Sequence, residues 1–174
     1  MKPMGAARHR AGLSVMAVCA GVAGCARTYY TTPASLGAGS VGTLEAGTAT
    51  TLDLRIRQGR LRLEAVESER VTYRVRVGPA RGALGVARTC EYAEESSANV
   101  RSDRTGGVMR VRLEPSPGGG CVEEWVVQVP SGLALTARLE AGMIEVRGVS
   151  RGLRLEAGAG DIEVMDATGA VEAK

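Results

Sequence analysis

The phrase Arg138-Leu139-Glu140-Ala141-Gly142 returns as Arg154-Leu155-Glu156-Ala157-Gly158, so two glutamates and two arginines share one local context. Paired carboxylates are what glycan cleavage uses: one protonates the leaving oxygen while the other serves as base or nucleophile. Stacked repeats would place Glu140 beside Glu156, and Arg138 beside Arg154. The same spacing also suits a solvated ladder in which arginine and glutamate side chains interleave and cancel local repulsion. Regular alternation of charged with apolar residues favours the ladder, so no catalytic residue is assigned, and a glycan hydrolase or lyase stands behind a noncatalytic reading. Gly158-Ala159-Gly160-Asp161-Ile162-Glu163-Val164 has the glycine-aspartate cadence of calcium-binding solenoids, whose loop oxygens coordinate the cation. The equivalent turn one repeat earlier, Gly142-Met143-Ile144, carries no aspartate, so a plain glycine turn is expected, with no metal and no cofactor. Ser131 reads as a turn residue. The single histidine, His9, lies in a segment expected to be removed, which leaves no imidazole to activate a nucleophile. Trp125 is expected in the core; exposed beside Tyr73 or Tyr92, it would instead make a contact patch.

The remaining chemistry is that of cysteine. Lys2, Arg8 and Arg10 precede an uncharged stretch from Ala11 to Ala26 that contains Leu13, Val15, Met16, Val18 and Val22. A basic opening before a short apolar region is the layout of an export signal. The stretch is shorter than the ~18 residues of a spanning helix, and Gly12, Gly21 and Gly24 interrupt it. It ends Val22-Ala23-Gly24-Cys25, which resembles the lipobox of bacterial lipoproteins. That resemblance implies cleavage after Gly24 and a diacylglyceryl group on the Cys25 sulfur, with the membrane as a partner. At about 0.8 kcal/mol per buried methylene one acyl chain holds only marginally, whereas two or three anchor a protein. Residues 1–24 are then a signal peptide, and 25–50, rich in Thr, Ala, Gly and Ser, a lipidated cysteine with a flexible tether. Ala26 lacks the aspartate tied to inner-membrane retention, which favours an outer membrane where the organism has one. The expected location is the cell membrane or outer membrane, facing the periplasm or the cell surface.

Removing residues 1–24 takes 22 basic residues to 19 against 19 acidic ones, so the formal net charge falls from +3 to 0. A neutral domain lacks the positive field of a nucleic-acid binder, and no nucleic-acid partner is expected. Cys19 leaves with the signal and Cys25 takes the lipid, so Cys90 and Cys121 remain as a pair in an oxidising compartment. A disulfide is expected between them. The alternatives are two buried thiols or a redox pair, although the Cys-x-x-Cys spacing of redox chemistry is missing.

These residues sit on a pattern of period two. Leu52, Leu54 and Ile56 alternate with Asp53, Arg55 and Arg57, and Leu61, Leu63 and Ala65 continue the alternation after Gly59. Val71, Tyr73, Val75 and Val77 give another strand, ended by Gly78-Pro79. Residues 78–107 are less regular, hold Cys90 and the turn signal Thr105-Gly106-Gly107, and read as an excursion pinned by the disulfide. Met109, Val111 and Leu113, then Trp125, Val127 and Val129, supply two further strands around the breaker-rich run Pro115 to Gly120. No stretch carries apolar residues at helical spacing. The expected class is all-β over residues 51–174.

The repeated phrase carries Arg138 onto Arg154, Ile144-Glu145-Val146 recurs at a slightly longer offset as Ile162-Glu163-Val164, and Arg62-Leu63-Glu64-Ala65 is an earlier echo. A unit of two strands and two glycine turns cannot bury its own apolar face, but a stack of them can, which predicts a β-solenoid or β-roll with a β-sandwich as the alternative. Val127-Gln128-Val129-Pro130-Ser131-Gly132, with Leu133-Ala134-Leu135 and the two Ile-Glu-Val repeats, resembles a bacterial family that carries the name "putative adhesin" and has no known biochemical function. The resemblance runs from about Val126 to Val171, with extension back to Leu52. It implies a repetitive stack of short strands in an envelope protein. The cadence stops after Gly169-Ala170-Val171-Glu172-Ala173-Lys174, where the resemblance implies a further turn and strand, and an edge left open there would invite strand pairing. The expected function is a lipid-anchored envelope protein whose noncatalytic β-domain presents an interaction or adhesion surface to an envelope protein or polysaccharide. The alternative is an envelope sensor or regulatory partner acting through an exposed strand edge.

Overall fold

The computed structural model describes residues 38–80, 89–90, 98–118 and 120–174. Nine strands follow in chain order: β1 (Ala38–Glu45), β2 (Thr51–Val66), β3 (Arg70–Pro79), β4 (Val100–Thr105), β5 (Val108–Leu113), β6 (Cys121–Pro130), β7 (Ala134–Arg147), β8 (Leu153–Met165) and β9 (Val171–Ala173). The described residues are all-β and form one mixed sheet in the order β1-β3-β6-β2-β7-β8-β9, with β5 also paired to β2 and β4 to β5. β2, β7, β8 and β9 run parallel, which makes them successive rungs of a stack.

Each long rung turns a corner at a glycine. In β2 the buried positions are Leu52, Leu54 and Ile56 and then Leu61 and Leu63, so the inward parity switches between them. The same switch separates Leu139 from Ile144 in β7 and Leu155 from Ile162 in β8. A flat strand keeps one parity, because successive side chains point to opposite faces. Gly59, Gly142 and Gly160 sit at the three switches with φ of 144°, 147° and 141°, a region that only glycine occupies without strain. They stack in register, and a Cβ on Gly142 or Gly160 would drive into the carbonyl of the glycine one rung earlier. Both halves of every rung therefore face one core, led by Trp125, Leu52, Leu54, Leu61, Leu63, Leu139 and Ile144.

The glycine column sets one register along the whole of β7 and β8: Leu135 lies beside Leu153, Gly142 beside Gly160 and Val146 beside Val164. The Arg-Leu-Glu-Ala-Gly phrase is thus not the structural repeat. Arg138 pairs with Glu156 and not with Arg154, so Glu140 and Glu156 do not hold equivalent positions. Arg62, in the earlier echo, lies in the second half of its rung opposite Glu145. Corner packing overrides local sequence similarity: Gly142 stacks on Gly160, and the same register lays Ile144-Glu145-Val146 on Ile162-Glu163-Val164.

Two segments depart from the expected outline. Ala38–Glu45, within the expected tether, is β1, antiparallel to β3 along its length. Its backbone bonds and the half-buried Leu44 suffice to hold it, and its scarcity of large aliphatics hides it in the sequence. Val100–Thr105, within the expected excursion, forms a hairpin with β5 through the Gly106-Gly107 turn. β5 and β6 together make one further rung, β5 beside Thr51 to Leu54 and β6 beside Gly59 to Val66, and residues 114–118 leave the sheet between them.

Candidate functional site

The sheet register assembles a column of arginines. Arg101 of β4 pairs with Arg112 of β5, and Arg55 of β2 pairs with Arg138 of β7. Leu54 pairs with Val111, which brings Arg55 abreast of Arg112. Four guanidiniums thus succeed one another across four strands, all on outward positions and with side chains 49–64% exposed. Their counter-charges are Glu114 for Arg101 at 3.2 Å, Asp103 for Arg112 at 2.7 Å, Asp53 for Arg55 at 3.3 Å and Glu156 for Arg138 at 3.5 Å. Asp53 is itself buried between Arg55 and Arg110, and its Oδ1 has no hydrogen-bond partner among the described residues.

Beside this column lies an open cavity of about 470 Å³ whose lining includes Arg55, Arg57, Arg112 and Arg138 together with the apolar Leu113 and Leu139. Glu123 also lines it and is only 3% exposed. It pairs with Gly59, so it occupies the corner position of the β5–β6 rung. Its Oε2 accepts a hydrogen bond from Trp125 Nε1 at 2.8 Å and its Oε1 one from the Arg57 backbone N–H at 3.4 Å. Burial pushes its carboxyl up to about 7, and the indole, the Arg57 N–H and the Arg57 charge only partly counter it. Glu145, 5% exposed on the second half of β7, goes the other way. Burial alone would raise it, but hydrogen bonds from Arg60 and from Arg62, the latter at 2.8 Å, hold it below the ordinary carboxylate value.

The residues singled out in the sequence fall as follows. Glu140 pairs with Arg57 at 3.6 Å, Glu156 with Arg138, and Glu172 with Arg154 at 3.8 Å, so the acids and bases interleave one rung apart. Asp161 is exposed just after the corner glycine Gly160, and no group of three or more His, Cys, Asp or Glu side chains is placed to hold a metal among the described residues. Ser131 occupies the β6–β7 turn, its hydroxyl donating to Glu67 at 3.3 Å. Trp125 is 1% exposed and meets Tyr73 at 6.4 Å between ring centroids, so the pair is core and not a contact patch. Cys90 and Cys121 are joined by a disulfide with their Cα atoms 5.0 Å apart. Cys25, His9 and Tyr92 lie outside the described residues.

Sequence reasoning misses Glu123 and the arginine column. Glu123 has a legible signal, since Cys121, Glu123, Trp125 and Val127 share one parity and an acid on that face must be buried. The column has none, because no local pattern reports the register between β5 and β2, which lie far apart in the chain.

No family profile and no curated protein matches the sequence. Among solved structures, the fold is similar to that of a "putative cell adhesion protein" from Clostridium sporogenes, with 12% sequence identity and a TM-score of 0.48. The match covers 70% of this chain and spans 57% of the length of the other.

Proposed function

We propose that the protein is a cell-envelope protein, anchored through lipid on Cys25, whose β-domain presents an interaction surface and performs no catalysis. The observation that carries this reading is the outer face of the rungs. There the carboxylates best placed by sequence for glycan cleavage, Glu140 and Glu156, are tied to Arg57 and Arg138 as part of a charge ladder beside an open cavity. Each of these carboxylates faces an arginine of the neighbouring rung, so the two enter a charge ladder and do not face one another as a catalytic pair. A rigid stack with fixed surface charges suits recognition, because little order is lost on binding. The Cys90–Cys121 bond supports an exported, oxidising location, where such bonds persist. The anchor is supported by the basic opening, the apolar stretch and the Val22–Cys25 site.

The test has two parts. Wild type and Cys25→Ala are expressed in a bacterial host and compared by detergent-phase partitioning and intact mass; the wild type should partition with lipid and carry the acyl mass, and the variant should do neither. The purified wild type is then incubated with isolated bacterial envelopes and with a panel of glycans. Retention on envelopes without turnover is expected. Release of reducing ends from any glycan would overturn the noncatalytic reading, and soluble, unmodified wild type would overturn the anchor.

A further inference from the structure

We propose that the arginine column across β4, β5, β2 and β7, with the cavity beside it, is a binding site for an anionic polysaccharide whose carboxylates seat on successive guanidiniums. This rests on the reading of the domain as an envelope interaction surface and gives that surface a ligand class.

The first support is the register itself. Arg101, Arg112, Arg55 and Arg138 stand abreast at the interstrand spacing of about 4.8 Å, so the column spans about 14 Å. Like charges directly opposite one another destabilise a sheet, and Glu114, Asp103, Asp53 and Glu156 each offset one of the four. An extended polymer bearing one acid per sugar presents negative charges in a row to match the arginines.

The second support is availability. A guanidinium has five N–H donors in a planar fork that takes a carboxylate two at a time. The ion pairs to Glu114, Asp103, Asp53 and Glu156 lie at 2.7–3.5 Å, with Arg112 also 3.9 Å from Glu114, and five donors per fork exceed these contacts. The pairs of Arg101, Arg112 and Arg138 are exposed and contribute little, so a polymer carboxylate can take the free edge of the fork or displace the acid, whereas Arg55 keeps the buried Asp53 and offers its free edge alone.

The third support is the cavity of about 470 Å³, a volume ordinary for ligand sites, whose lining sets four arginines beside Glu123, Glu140 and Glu156. An acidic sugar carries carboxylates and hydroxyls, and this lining offers guanidiniums to the first and carboxylate acceptors to the second. Single-stranded nucleic acid, the rival polyanion, is held by aromatic platforms on which bases stack. Trp125 is buried in the core, and no aromatic side chain lines the cavity among the described residues.

The experiment uses the full-length protein in detergent micelles, with polygalacturonate as the probe, dextran as the neutral polymer and a thymidine oligonucleotide as the rival polyanion. Saturable binding to polygalacturonate that weakens with added salt is expected, with none to dextran. Replacing Arg55 and Arg138 together, Arg55→Gln with Arg138→Gln, should weaken it at least tenfold. Arg101→Gln with Arg112→Gln should do the same from the other two strands, so a folding defect in one pair does not decide the matter. Arg74→Gln with Arg76→Gln, on exposed positions of β3, removes the same charge elsewhere and should change affinity less than twofold. Emission of the buried Trp125 checks that each variant is folded. Equal losses in the β3 pair, no loss in either column pair, or equal affinity for the oligonucleotide would each overturn the proposal. Envelope retention separates the two levels: wild type retained with column variants retained equally sinks this site alone, whereas no retention of the wild type sinks the interaction reading beneath it.

Discussion

The rungs β2, β7 and β8 and the rung assembled from β5 and β6 solve one geometric problem in two ways. Each must turn a corner to face one core. The continuous rungs do so with a glycine whose missing side chain lets the backbone of the rung before it in the stack sit against it. The β5–β6 rung breaks instead, leaves the sheet over residues 114–118 and places Glu123 where the others have glycine. That position then needs an acid's hydrogen-bonding capacity to be met in the core, which Trp125 and the Arg57 backbone do. The first solution is rigid and chemically silent; the second leaves a cavity, a shifted carboxyl and a disulfide close together in the chain. The irregular rung thus holds the buried acid and the disulfide, while the regular rungs carry the cross-rung ion pairs.

The comparison breaks most sharply at the corner. Gly142→Val should cost more than about 4 kcal/mol, enough to abolish the folded state, because it combines a forbidden φ with collision against the Gly59 backbone. Gly132→Ala, where an added Cβ meets nothing within 4 Å, should shift stability by no more than about 0.5 kcal/mol in the same urea titration. On the irregular side, Cys90→Ser with Cys121→Ser opens a loop with a sequence separation of 31 and should cost about 3 to 4 kcal/mol, the same loss that reductant produces in the wild type.

How much of this is legible in the sequence follows the same division. The inward residues Leu52, Leu54, Ile56, Leu61 and Leu63 are plain from alternation, and so are the all-β class and the stacking of Ile144 on Ile162. Register is not: Arg138 lies over Glu156 because glycines stack through their backbones, a contact that no side-chain pattern encodes. The repeated Arg-Leu-Glu-Ala-Gly phrase points to like charges facing one another, whereas the register set by the glycines turns the same residues into cross-rung ion pairs. β1 is hidden because an edge strand held by backbone bonds needs few apolar side chains.

The two buried glutamates sharpen the comparison, because their pH dependences should have opposite signs. Glu123 sits near 7 when folded against 4.5 ordinarily, so the native state binds the extra proton between those values. Its contribution is full below about pH 4.5, falls as pH rises through 7 and is then lost, about 3 kcal/mol in all. Glu123→Gln keeps an acceptor for the indole and cannot ionise, so it should be the more stable protein at pH 8 and lack that slope. Glu145 is held below its ordinary value, so its contribution is present above about 4.5 and disappears as pH falls through the folded value. Glu145→Gln should therefore destabilise at pH 7 and lose the corresponding acid-side decline. If both variants moved the stability curve the same way, the contrast between the two rung types would fail.

The smallest expected effect belongs to the ladder itself. Arg138 and Glu156 are 3.5 Å apart, with side chains about half exposed at 49% and 52%. Water and salt screen such a pair, and ordering two long side chains offsets much of the attraction. A double-mutant cycle with Arg138→Ala and Glu156→Ala should give a coupling of about 0.2 to 1 kcal/mol at low salt, shrinking toward zero in molar NaCl. A larger coupling that persisted in salt would mean that the ladder is structural in its own right. A small one means that the rungs are stacked by their glycine corners and apolar interior, and that the surface charges are free to be used for recognition.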